Sequence, residues 1–317
     1  MPRRVLVALL LALVIGAVDW TAPAAPKAQA ASASVPPASA GVLLYVKGSD
    51  LWSMSADGSG QTQLTHETSG KFANNAVFSP DGTKIAYAIH TPWTQQNYGA
   101  AKIHVMNADG TTDQTIVGPT QQGEWMDMPA WYGGGTSLFF VHDVSRFDAG
   151  GQWLGDTMTL EGINLSNGTR SVLMNNAEYP TTAPNGALAW MSITPGTLGF
   201  ELNYTADGST TKALVSGKDC MQIWHPRLSP NGQWIAFSCS GAKSSNAGGP
   251  FGLGALSFVP NAEAHGLPWD PYVIKTDGTN LHRLAAIGAD EQGVAWSPDS
   301  TTVALADYDG VFDVPVA

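Results

Sequence analysis

Two short signatures alternate along most of this chain, and their repetition restricts the fold more than any other feature of the sequence. The first is VFSPDGTKIAYA at 77–88, recurring as AWYGGGTSLFFV (130–141), TTAPNGALAWMS (181–192), RLSPNGQWIAFS (227–238) and AWSPDSTTVALA (295–306). The second is MSADGSGQTQLT at 54–65, recurring as MNADGTTDQTIV (106–117), INLSNGTRSVLM (163–174), YTADGSTTKALV (204–215) and IKTDGTNLHRLA (274–285). Each sets a turn between two apolar stretches. Asp or Asn supplies a side-chain acceptor, Pro a fixed φ and Gly a permissive backbone, which together make a tight β-hairpin. Alternating the two hairpins predicts a four-stranded antiparallel sheet per repeat, so the chain is expected to be all-β. The 35 Gly and 20 Pro in 317 residues agree, because a helical bundle does not tolerate them.

Successive Asp-Gly or Asn-Gly turns, beginning at 57, 109, 167, 207 and 277, are 52, 58, 40 and 70 residues apart. The shortest interval matches one propeller blade of about 40–50 residues, and the longer ones hold insertions. On Phe78-Ser79-Pro80-Asp81-Gly82, Ile85-Ala86-Tyr87, Met106-Asn107-Ala108-Asp109-Gly110 and Trp296-Ser297-Pro298-Asp299, the chain resembles the TolB-like β-propeller family over nearly all of residues 41–317. It departs from that pattern at Tyr132-Gly133-Gly134-Gly135 and Ala183-Pro184-Asn185-Gly186, which marks the third and fourth blades as degenerate. Five copies of each signature, with one strand lacking from the first repeat and one from the last, count to a six-bladed β-propeller of four-stranded antiparallel blades; five blades are the alternative. The resemblance implies protein contacts in the cell envelope. The N-terminal α/β domain that accompanies the propeller in TolB proper has no counterpart in this sequence, which puts a translocation role in doubt.

Arg3 and Arg4 precede the uncharged stretch Val5 to Val18, and Ala28-Gln29-Ala30 offers a small-residue cleavage site before Ala31. This is the layout of a secretory signal peptide over residues 1–30, with an uncleaved anchor as the alternative. Residues 31–40 (ASASVPPASA) read as a linker or a closing strand. The expected location is therefore secreted or periplasmic, with no membrane span after cleavage. Only 13% of residues are charged against 44% apolar, a composition that folds, and the net charge of -11 without a Lys/Arg cluster excludes a nucleic-acid partner.

The insertions are expected as loops on the side of the propeller away from the hairpin turns, where a rigid scaffold displays recognition residues. They are 90–101, 118–128, 142–155 and 240–270. The candidate ligand-binding residues there are Trp93, Tyr98, Glu124, Trp125, Asp127, His142, Asp143, Trp153 and Trp269: aromatic faces beside acceptors, suited to a protein, peptide or glycan partner. The competing reading makes these aromatics covers for the ends of the blades. Trp52, Trp131, Trp190, Trp224, Trp234 and Trp296 fall inside expected strands and read as packing residues. Asp57, Asp81, Asp109, Asp207, Asp277 and Asp299 sit in turns, where a carboxylate bonds backbone N–H groups rather than calcium.

None of the seven His residues forms a close pair with the local spacing of a zinc site, so neither a metal nor another cofactor is expected. No Gly-x-Ser-x-Gly nucleophile elbow or dinucleotide fingerprint occurs. The leading expectation is a monomeric, non-catalytic binding or protein-interaction propeller. The alternative, implied by lyases on a related propeller, is a carbohydrate-active enzyme that gathers His90, His142, His225 and His265 with loop carboxylates at a channel mouth. Cys220 and Cys239 bracket one hairpin. A two-residue turn at Pro230-Asn231 would set Cys239 opposite Gln222 and Cys220 diagonal to it, so a small bulge brings the pair into range of a disulfide. Two free thiols are the alternative.

Overall fold

The computed structural model describes residues 41–92, 99–193, 200–241, 269–287, 293–307 and 310–316. The expected signal segment (1–30), the 31–40 stretch, Trp93, Tyr98, His265 and most of the 240–270 insertion lie outside these residues.

The described chain is all-β. Val42–Lys47 (β1), Asp50–Ser55 (β2) and Thr62–Gln63 (β3) make a three-stranded sheet. Phe72–Phe78 (β4), Lys84–Thr91 (β5), Ala100–Asn107 (β6) and Gln114–Val117 (β7) form one antiparallel meander, and Glu124–Tyr132 (β8), Ser137–Phe147 (β9), Trp153–Asn164 (β10) and Arg170–Asn175 (β11) form the next. These two run together as a single eight-stranded sheet. Ala177–Thr182 (β12), Leu188–Ile193 (β13), Phe200–Thr205 (β14) and Thr211–Val215 (β15) make a four-stranded sheet, as do Gln222–Leu228 (β16), Trp234–Ser240 (β17), Trp269–Lys275 (β18) and His282–Arg283 (β19). Gly293–Trp296 (β20), Thr302–Asp307 (β21) and Gly310–Pro315 (β22) close the series as three strands.

The fused sheet differs from separate four-stranded blades through one parallel pairing, Ala101 opposite Trp125. Gly99 permits it. Its φ is +71, and a Cβ there would fall 2.6 Å from the Trp125 ring, so only glycine lets this backbone approach the indole.

Both signatures fold as hairpins at all their occurrences. In the Asp-Gly turns the carboxylate accepts the N–H two residues on: Asp57 from Ser59, Asp81 from Thr83, Asp109 from Thr111, Asp207 from Ser209 and Asp277 from Thr279. Asp299 accepts from Thr301, and Asn167, Asn185 and Asn231 make the same bond. Even the degenerate Tyr132–Gly135 turn survives, because Gly133, Gly134 and Gly135 all take positive φ (61, 66 and 94), which three side chains would oppose.

The core lies between neighbouring sheets. Along β5, Ile85, Tyr87 and Ile89 join a cluster with Leu51 and Ala73 on one side, while Ala86 and Ala88 join Ile103, Met126 and Phe140 on the other. A strand buried on both faces needs a continuous apolar run, and Ile85–His90 is buried throughout. Further clusters follow around the chain at Leu160 with Trp190, at Leu202 with Phe237, and at Val273 with Leu305.

Candidate functional site

The first strands of successive meanders, β4, β8, β12 and β16, converge on one void. Each carries a bulge, marked by register shifts at Asn74/Val77, Asp127/Ala130, Glu178/Thr181 and Trp224/Arg227. Each bulge holds one residue in the left-handed region: Asn75 (φ 53), Met128 (φ 54), Tyr179 (φ 50) and His225 (φ 51). Outside glycine such backbone costs about 1–3 kcal/mol per residue and persists where the surroundings fix it. Three of the four precede proline, and Pro129, Pro180 and Pro226 remove a ladder donor where the strand is already broken. Asn75, Met128, Pro129, Tyr179, Pro180 and Arg227 line a small void of about 10 Å³, room for about one water molecule. Next to it, toward the hairpin turns, a space of about 100 Å³ is walled by Phe78, Trp131, Thr182 and, again, Arg227.

Side chains stitch these strands together. Trp131 Nε1 donates to the Val77 carbonyl at 3.1 Å, and Trp296 Nε1 makes the equivalent bond to the Arg227 carbonyl at 2.8 Å. The Thr182 hydroxyl donates to the Trp131 carbonyl, and Leu228 N–H to the Thr181 hydroxyl at 3.0 Å. Trp131 and Trp296 are thus packing residues, as their place in the repeat indicates, with a polar bond added.

On the insertion side, two clusters form from the candidate residues. In the first, Asp127 Oδ2 lies 3.2 Å from His90 Nε2, and Asn75 Nδ2 donates to Asp127 Oδ1 at 2.8 Å. His90 stacks on Phe72 at 4.7 Å between ring centroids and tilts against Trp125 at 5.8 Å. Burial opposes ionisation of Asp127, but the neighbouring His90 and the hydrogen bonds from Asn75 and the Met128 N–H outweigh it and hold the carboxyl below its ordinary value. In the second, His142 Nδ1 is 2.7 Å from Glu161 Oε1 and its Nε2 3.7 Å from Glu124 Oε1. Arg170 forks onto Glu161 through Nε at 3.0 Å and Nη2 at 2.7 Å. Glu124 also accepts the Thr120 and Gln121 N–H groups, fixing the loop before β8. Burial works against both glutamates, and these partners hold both in the ionised form. The arrangement clasps a loop to two strands by charge and hydrogen bonding.

The remaining candidates lie apart. Asp143 sits on β9 with its side chain on the face opposite His142. Trp153 opens β10 and donates to Asp156 Oδ1 at 2.9 Å. Trp269, in β18, packs on Trp224 at 5.1 Å, within an aromatic group that continues through His225 to Tyr179. Trp93 and Tyr98 lie outside the described residues.

Two expectations need correction. Glu124, Trp125, Asp127, His142, Asp143, Trp153 and Trp269 are in strands, not loops. The 142–155 segment shortens to a tip because Asp148 accepts the N–H groups of Gly150 and Gln152, which lets β9 and β10 pair as far as Phe147 and Trp153. Cys220 and Cys239 are joined as a disulfide with Cα atoms 5.7 Å apart. However, Cys239 stands opposite Ile223, not Gln222, because the Ser229–Trp234 turn is longer than two residues and the Trp224/Arg227 bulge shifts the register again.

Sequence reading missed the left-handed quartet and Arg227. Proline inside three expected strands was the available signal, since proline within a sheet marks a bulge or an edge. Among the described residues, no group of three or more His, Cys, Asp or Glu is placed to hold a metal ion. His90, His142 and His225 each have their own surroundings. Among the same residues, no helix is long and apolar enough to cross a membrane.

No family model matches the chain, and no curated protein matches it. Similar solved structures include TolB from Acinetobacter baumannii, at 14% identity and a TM-score of 0.54, covering 84% of this chain and 59% of that one. A protein assigned as TolB from Agrobacterium tumefaciens is similar at 17% identity and a TM-score of 0.55, covering 86% of this chain and 84% of that one. A chain of a nidogen/laminin complex is similar at 12% identity and a TM-score of 0.57, covering 87% and 90%. These likenesses show the fold, a TolB-like β-propeller.

Proposed function

We propose that this chain is a secreted or periplasmic binding propeller of the cell envelope, six-bladed and monomeric. It works without catalysis and engages a protein, peptide or glycan on the face opposite the hairpin turns. The blade count takes β4–β7 and β8–β11 as separate blades and β1–β3 and β20–β22 as the two incomplete ones. The observation that carries the binding reading is the junction at Asp127. This residue ties the aromatic pair His90 and Trp125 on the insertion side to Asn75 in the bulge ring, so a recognition surface is braced by the strained centre of the scaffold. That TolB proteins and a nidogen/laminin complex share the fold supports a protein partner. A peptide and glycan binding screen of the full chain, followed by Trp93→Ala, Trp125→Ala and Trp153→Ala, tests it. Truncating an aromatic anchor is expected to weaken binding about thirtyfold. Wild-type affinity in all three folded variants would place the partner elsewhere.

The second reading, a polysaccharide lyase, draws on His90 against Asp127 and His142 between Glu124 and Glu161. Formation of unsaturated product from acidic polysaccharides, abolished in His90→Ala, would favour it over the binding role.

A further inference from the structure

Arg227 brings a cation into the channel without an anion to meet it. Its Nη1 donates to the Pro226 carbonyl at 3.0 Å, which occupies one of five guanidinium N–H groups. Among the described residues no carboxylate pairs with it. Asp127, the acidic group of the β8 bulge, is engaged by His90 and Asn75. Burial lowers the Arg227 pKa from its ordinary value, and the Tyr179 phenol opposes the shift. Arg227 is half-buried, so its guanidinium is only partly withdrawn from water, and four of its N–H groups meet no protein acceptor among the described residues.

The walls around it suit an anion. Val77, Phe78, Pro129, Ala130, Trp131 and Pro180 are apolar and weaken competition from water. Thr181 accepts the Leu228 N–H, which leaves its own hydroxyl proton to donate. The open space of about 100 Å³ is smaller than a drug-sized ligand pocket, roughly 300–1,000 Å³, and takes a carboxylate head rather than a whole ligand of that size. That head can belong to a small molecule or to the end of a chain. A planar guanidinium fork selects a planar anion with two oxygens.

We propose that the channel at Arg227 is a carboxylate-binding site, filled by a small organic acid or by the C-terminal carboxylate of a peptide. The site opens toward the hairpin turns, on the other side of the bulge ring from the recognition surface above, and does not depend on that reading.

Calorimetric titration of the full chain with benzoate, benzamide, and a Gly-Leu-Phe tripeptide as free acid and as amide tests the proposal. Saturable binding of benzoate alone assigns a small acid; binding of the free-acid tripeptide assigns a chain end. Neither amide is expected to bind. Arg227→Met is expected to stay folded with an unchanged or higher melting temperature, because an apolar side chain of similar length replaces an unpaired charge. It should lose roughly thirtyfold or more in affinity. A wild-type readout covers the case in which this variant does not fold: benzoate or the tripeptide acid should slow phenylglyoxal modification of Arg227, followed by peptide mass mapping. The proposal is overturned if no carboxylate saturates the protein and protects Arg227, if the amides bind equally well, or if folded Arg227→Met binds like the wild type.

Discussion

A turn aspartate in this molecule is a local device, and its behaviour follows from its immediate neighbours. Asp81 accepts the Ser79 hydroxyl, the Thr83 N–H and the Thr83 hydroxyl, at 2.6, 3.0 and 2.8 Å. These bonds, led by Ser79, hold its pKa down to about 2. The folded value lies below the unfolded one, so the carboxylate contributes stability in full above about pH 4 and loses it as the pH falls through about 2. Asp81→Asn is therefore expected to lower the melting temperature at pH 7, with the gap to wild type closing between pH 4 and 2. An NMR titration of the Asp81 carboxyl should show a midpoint near 2; a midpoint near 4 would contradict the account. All of this was legible from Ser-Pro-Asp-Gly-Thr, because the partners lie within two residues. Arg227 was not. Its surroundings come from Asn75, Met128 and Tyr179 on other strands, and only the packing of successive sheets brings them together.

At the scale of elements, the repeated turn signatures between apolar stretches located the hairpins, but strand ends depended on what the turns could sustain. Asp148-Ala149-Gly150-Gly151 nucleates a tight tip, so the expected 142–155 loop became the pairing of β9 with β10 and carried His142 and Asp143 into a strand. Bulges were hidden for another reason: a left-handed residue flips the register without altering the apolar count. The tryptophans show what holds one element to the next. Trp131 is 4% exposed, and its indole N–H satisfies the Val77 carbonyl across the gap from β8 to β4. Trp131→Phe keeps most of the packing but loses that added hydrogen bond, at a cost of about 0.5–1.5 kcal/mol. Urea denaturation should show this loss, whereas Trp52→Phe, which breaks no such bond between meanders, should change stability by no more than about 0.5 kcal/mol. Equal effects in the two variants would remove the polar bond from the explanation.

Across the whole molecule, the low charge fraction follows from where the strands lie. A meander packed on both faces leaves few positions for Lys, Arg, Asp or Glu, which is why 13% charged residues suffices here. Carboxylates collect instead at the turns, where backbone N–H groups receive them. The single disulfide fits the same pattern. It pins the chain just before β16 to β17, beside the bulge that carries His225 and in the sheet that carries Arg227, and closing a 19-residue separation contributes about 3 kcal/mol on the chain-entropy account. Such a bond persists in an oxidising compartment. On the proposed reading, the two N-terminal arginines and the apolar stretch after them would supply the route there. If the chain is exported and processed as proposed, protein expressed from Met1 and recovered from the periplasm or medium should begin at Ala31. Mass spectrometry without reduction should then find one peptide pair linked through Cys220 and Cys239, with no alkylatable thiol. Recovery in the membrane fraction with an intact Met1-to-Ala30 segment would identify an anchor. Two alkylated cysteines in the soluble product would instead mean that this hairpin is held by its strand pairing alone.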